Sequence, residues 1–178
     1  MVGQSSWWPT SMLKLMSASS ERQTNNNKTD IMLKKLFNKI FDIHPKAISF
    51  RESMDLTGLP MVTFYQGDRK YNFLFDTGSN DNIIDANVLN AVDYEKVNCE
   101  NKLYGLDGKV HKVDRCNITF SYKDDVYPFD YLIKDMQAPF DLIKKECGVN
   151  LHGVIGSRFF NKFKYVLDFD ALIAYTKK

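Results

Sequence analysis

The hydrophobic pattern of this chain changes character near residue 47. Before it, residues 1–29 mix Ser, Asn, Thr and Gln with two short apolar islands, Trp7-Trp8 and residues 12–16, and show no period. Such a segment buries too little apolar surface to offset the entropy lost on ordering, so a disordered tail or linker is expected over 1–29. Leu33, Leu36, Phe37 and Ile40 then fall at helical spacing, with Lys34, Lys35 and Lys39 off the stripe, Thr29 or Asp30 placed to cap and Pro45 placed to stop. This predicts a basic amphipathic helix over residues 30–46. Its stripe can dock on its own domain, or residues 30–43 can make weak contact with a membrane surface or grip a partner.

From residue 47 a domain extending to 178 is expected, and from Met61 its period is that of strands. Residues 61–65 and 71–75 flank the polar stretch 66–70 and read as a β-hairpin. Residues 82–85 read as a short strand and 86–91 as a brief helix. Cys116, Ile118, Phe120 and Tyr122 alternate on one face of a long strand, Lys123-Asp124-Asp125 turns the chain, and Tyr127, Phe129, Tyr131 and Ile133 alternate on the return. A helix over 140–147 ends at Gly148, a glycine-bounded buried strand covers 152–156, and Ser157 caps a short helix to 162. Strands over 165–169 and 172–175 close the chain. No repeat recurs at a fixed period, which excludes a solenoid.

Composition sharpens this picture in three ways. Thirteen Phe and nine Tyr lean the body toward β structure, and 44% hydrophobic residues in 178 suffice for one sizeable core. The net charge of +2 divides unevenly: residues 1–46 hold seven basic and three acidic residues, leaving 17 basic and 19 acidic for the rest. The body is thus near neutral, and no nucleic-acid partner is expected. Cys99, Cys116 and Cys147 match neither a disulfide framework nor a paired-cysteine zinc site, so reduced thiols and an intracellular, cytoplasmic setting are expected. His44, His111 and His152 are scattered, and neither a metal nor a cofactor is expected. No run approaches the roughly 18 apolar residues of a membrane span.

The candidate chemistry sits where an apolar strand meets an acid. Phe73-Leu74-Phe75 runs into Asp76-Thr77-Gly78-Ser79. A carboxylate carried into low-dielectric surroundings needs hydrogen-bond donors, a charge partner or a use for its altered acidity. Thr77 and Ser79 offer donors, and Gly78 lets backbone or ligand approach closely. A strand end followed by an ordinary Asx-type turn is the alternative reading of the same residues. Two further features follow: a glycine-tipped hairpin through Tyr104, Gly105, Leu106, Asp107 and Gly108, and the run Val154-Ile155-Gly156 leading into the short helix.

In this order the features resemble the retropepsin-like aspartic proteases, particularly the single-lobed bacterial and phage-type members. The resemblance covers residues 60–176. It implies a mostly β, single-lobed, closed barrel with short helices. It implies Asp76 as the catalytic aspartate, Thr77 as a hydroxyl bonding across to a partner loop, Gly78 as backbone beside the substrate and Ser79 as a side chain holding the outer carboxylate oxygen. Val154, Ile155 and Gly156 match the segment that braces the active-site loop, and Tyr104 to Gly108 the flap over bound peptide.

Peptide hydrolysis without a metal or nucleophilic side chain needs one carboxyl group to take a proton from water and another to give one to the carbonyl. This chain has one Asp-Thr-Gly, since Asp55-Leu56-Thr57-Gly58 carries an extra residue. A homodimer with Asp76 and its symmetry mate on the axis is therefore expected, acting on a peptide or protein substrate. The alternative is a non-catalytic dimeric peptide-binding module of the same fold. Viral members of the family place an acid two residues after the conserved Gly and an Arg directly after the later one. Those positions hold Asn80 and Ser157 here, so that ion pair is expected to be missing.

Overall fold

Alternation along the strands builds a closed barrel. The computed structural model describes residues 44, 46–104 and 110–176. The tail expected over 1–29, nearly all of the helix expected over 30–46, and Gly105 to Gly108 of the flap lie outside the described residues. Strands β1 (Ile48–Ser49), β2 (Met61–Gln66), β3 (Arg69–Phe75), β4 (Asn82–Asp85), β5 (Glu95–Tyr104), β6 (Val110–Tyr122), β7 (Asp125–Lys134), β8 (Gly153–Ile155), β9 (Tyr165–Asp168) and β10 (Ile173–Thr176) alternate, among the described residues, with three short α-helices. These are α1 (Arg51–Thr57), α2 (Gln137–Cys147) and α3 (Ser157–Phe163), and a 3₁₀ helix spans Ala86–Ala91. The fold is mostly β, as the sequence predicts.

Six strands run in the order β2-β3-β8-β4-β7-β6, and a β6 to β2 bridge at Tyr65↔Ser121 closes the ring. β5 pairs only with β6, outside the ring. The β2–β3 hairpin turns through Gly67 and Asp68, pairing Gln66 with Arg69 and Met61 with Leu74. Period two delivers Tyr71, Phe73 and Phe75 to the interior from β3, and Cys116, Ile118 and Phe120 from β6. There they meet Phe64, Tyr131 and Phe159, with Phe73 and Phe120 edge to face at 5.1 Å between ring centroids. The many aromatic residues are thus spent on one interlocked core. A smaller cluster of Met61, Ile83, Phe140, Leu151 and Val154 seats α2, which ends at Gly148 with φ 72° as expected.

Three local features differ from the sequence expectation. Helix α1 was not anticipated, because none of its residues is buried and it shows no apolar stripe. Ser53 Oγ fixes it, donating to the Phe50 carbonyl at 2.9 Å and accepting from the Met61 amide at 2.9 Å. The near-motif Asp55-Leu56-Thr57-Gly58 is simply the end of this helix, with Gly58 as its left-handed cap. β5 begins well before the expected hairpin tip; its residues show no apolar alternation in the sequence, and backbone pairing with β6 defines it. Lastly, Ser157 does not cap α3: Gly156 occupies the capping position and no side chain bonds the helix start. Carbonyl oxygens of the loop after Asp76 fill that place.

A separate antiparallel sheet, β1-β10-β9, is made from the ends of the domain. Ile48 faces Ala174 and Ser49 faces Ile173, while β9 and β10 form a hairpin from Tyr165↔Thr176 to Asp168↔Ile173.

Candidate active site

Strand β3 ends at Phe75 and delivers Asp76 to the rim of the barrel. Asp76 is half-buried, less enclosed than the apolar run before it suggests, and Thr77 and Gly78 are exposed. The Asp76 carboxylate Oδ1 accepts from the Gly78 amide at 2.9 Å, and its carbonyl accepts from the Ser79 amide at 3.1 Å. Gly78 serves the close approach expected of it, because a Cβ there would stand 3.1 Å from that same Oδ1.

Strand β8 lies between β3 and β4 and braces the loop from behind. It runs parallel to β3, with Phe73↔Gly153, Leu74↔Val154 and Phe75↔Ile155, and antiparallel to β4. The Asp76 amide donates to the Ile155 carbonyl at 3.0 Å. Beyond β8, the Gly156 amide donates to Asn82 Oδ1 at 2.8 Å, the Ser157 amide to the Ser79 carbonyl at 2.8 Å and the Arg158 amide to the Asn80 carbonyl at 3.1 Å. Val154, Ile155 and Gly156 are all buried. A Cβ on Gly156 would lie 2.5 Å from the Asp81 carbonyl oxygen and 2.9 Å from that of Ser79, so backbone packs where any other residue would put a side chain. The sequence-read segments 76–79 and 154–156 therefore meet.

One expectation for this loop is corrected. Ser79 Oγ donates to the Asp81 carbonyl oxygen at 2.8 Å instead of to the Asp76 carboxylate; the loop curls back so that its own backbone offers the nearer acceptor. A different ion pair stands one residue beyond Asn80 and one beyond Ser157. Asp81, three residues after Gly78, accepts from Arg158, two residues after Gly156, at 2.7 Å. Arg115 of β6 reaches the same Asp81 Oδ1 at 3.3 Å and is far less exposed than Arg158, at 14% against 58%. Neither arginine left a local signal in the sequence, because the partners lie 34 and 77 residues from Asp81. Asn82, whose side chain is fully buried beside Gly156, was also missed.

The flap remains an expectation. β5 and β6 pair up to Tyr104↔Val110, and Gly105, Leu106, Asp107 and Gly108 lie outside the described residues. Among the described residues no group of three or more His, Cys, Asp or Glu side chains is placed to hold a metal ion. None of their helices is long and apolar enough to cross a membrane.

No family model matches the sequence, and no curated protein matches it either. Among solved structures the chain is similar to the retroviral protease-like domain of Ddi1 from Leishmania major, at 14% identity and a TM-score of 0.41, covering 63% of this chain and 82% of that one. It is also similar to a retropepsin-like aspartic protease from Rickettsia conorii, at 15% identity and a TM-score of 0.40, covering 73% of this chain and 89% of that one. Likeness of this size carries no weight about activity, which has to be argued from the site.

Proposed function

We propose that this chain is a retropepsin-like aspartic endopeptidase that works as a two-fold homodimer, with one Asp76 from each subunit facing the other across the axis. The observation that carries the reading is the contrast within one loop. Its backbone and its neighbours Ser79, Asp81 and Asn82 are tied to β8, α3 or one another, while the Asp76 carboxylate stays half-open beside exposed Thr77 and Gly78. A scaffold has no need of such an acid; a preorganised site does.

Two carboxyl groups a few ångströms apart cannot both ionise easily, so the pair holds one proton and titrates as a unit. The ionised Asp76 takes a proton from water as the water oxygen bonds to the peptide carbonyl carbon. The protonated Asp76 gives its proton to the carbonyl oxygen, forming a neutral diol. Collapse of the diol breaks the carbon–nitrogen bond: the leaving nitrogen takes a proton from the protonated carboxyl while the other carboxylate takes one from a diol hydroxyl, which leaves the dyad with one proton again. In this reading Thr77, exposed at the loop tip, bonds the partner's loop, and Gly78 leaves room for the substrate backbone. Ser79 acts differently from the family expectation, by holding the loop's curl through Asp81.

The test is incubation of purified protein with mixed denatured proteins from about pH 4 to 7 beside Asp76→Asn. Cleavage by the wild type alone is expected. Equal cleavage by both removes the proposal, and binding of peptide without cleavage points to the non-catalytic module.

A further inference from the structure

His152 sits at the opposite end of the β3–β8 ladder from Asp76, where three strands meet. Its amide donates to the Asn72 carbonyl at 2.8 Å, and its carbonyl accepts from the Asp85 amide at the end of β4 at 2.9 Å. Its ring closes the third link: Nδ1 accepts from the Asn72 amide at 2.9 Å. The Asn72 amide is a backbone donor just before the β3–β8 pairing begins at Phe73↔Gly153, and four residues before Asp76. Acceptance at Nδ1 fixes the neutral tautomer with its proton on Nε2. Tyr71 of β3 packs edge-on against the ring at 5.5 Å.

We propose that His152 is a positioning residue whose neutral imidazole locks β3 to β8, so that protonation at Nδ1 loosens the strand that delivers Asp76. A proton on Nδ1 would face the Asn72 N–H, donor against donor, and of the side-chain ties at this end only that from the Asn72 amide side chain to the Asn150 carbonyl at 2.9 Å would stay. The groups around the ring are few. Asp85 lies across it on β4, the Tyr71 ring covers one side, and Asp141 and Lys144 of α2 line with it a cavity of about 310 Å³. A backbone hydrogen bond with Asn72 and, less strongly, the charge of Asp85 favour a charged imidazole, although the Asp85 Oδ1 already accepts from Asn87 and Met136. Burial works the other way and dominates, lowering the imidazole pKa from its ordinary 6.5. The unfolded chain therefore takes up this proton before the folded one does. The stability tied to His152 is complete above about pH 6.5 and is lost as pH falls from there toward the folded value.

The link to catalysis rests on the proposed protease reading; the lock itself does not. Three measurements on the full chain separate the two. In the wild type, hydrogen-exchange protection at the Asn72 amide, corrected for intrinsic rate, is expected to fall between pH 7.5 and 4.5 by more than that at Phe73. His152→Asn places a non-titrating oxygen near the Nδ1 position and is expected to flatten the fall of melting temperature below pH 6.5. His152→Phe removes the acceptor and is expected to melt lower than wild type at pH 8. Unchanged relative protection at Asn72, or a His152→Asn variant with the wild-type pH slope, overturns the lock. If the lock holds, His152→Asn extends cleavage to lower pH. An Asp76→Asn variant that still cleaves defeats the protease reading and leaves the first three readouts standing.

Discussion

Asp76 and Asp85 both stand at the end of a barrel strand, yet the fold treats them oppositely. Asp85 closes β4, is 7% exposed, and its Oδ1 accepts from the Asn87 amide, the Asn87 side chain and the Met136 amide at 3.1 to 3.3 Å. It caps the 3₁₀ helix and ties β4 to the start of α2. Asp76 follows β3, is half-buried and accepts from one amide in its own turn. The first carboxylate is consumed by structure. The second sits in a loop tied by backbone bonds to β8 and α3, and takes one amide of its own turn. Acid type and strand-end position are common to both, so what marks a candidate for chemistry is a carboxylate left unspent within a fixed frame.

Substitutions can break this contrast, starting with the frame. Gly156→Ala forces a methyl group into the Asp81 backbone, and a loss of about 3 kcal/mol in urea unfolding is expected, with activity falling alongside. Asp85→Ala strips acceptors from the Asn87 and Met136 amides and should cost about 1–3 kcal/mol. Arg158→Ala removes one partner of Asp81 but leaves Arg115; because the Arg158 side chain is 58% exposed, no more than about 1 kcal/mol is expected. Asp76→Asn is the smallest change, within about 0.5 kcal/mol, since the Gly78 amide still finds an oxygen. A stability cost for Asp76→Asn as large as that for Asp85→Ala would erase the distinction between the two acids.

The sequence disclosed what period and local chemistry control. Strands β2, β3, β6 and β7 were legible because Tyr71, Phe73 and Phe75, or Cys116, Ile118 and Phe120, alternate into one core. Asp76 to Ser79 and Val154 to Gly156 were legible as motifs, and the resemblance suggested that they meet. Their actual contact depends on parallel pairing between β3 and β8, a register set by tertiary packing. For the same reason the Asp81 pairs with Arg115 and Arg158, 34 and 77 residues away, lay beyond local reading. The hydroxyl of Ser79 had several acceptors within one turn, and loop curvature chose among them. Ser157 looked like a cap because serine usually is one, but the amides at the start of α3 were already engaged by the loop of Asp76.

The central claim is that Asp76 is half a site completed by a second copy, and subunit mixing tests it most directly. Wild type and Asp76→Asn are combined at fixed total concentration, allowed to exchange subunits, and assayed for peptide cleavage across the full range of mixtures. Activity proportional to the square of the wild-type fraction is the predicted result, because only dimers with two intact carboxyl groups hold the shared proton. Activity falling in simple proportion to that fraction would mean that each chain works alone, and would contradict the account.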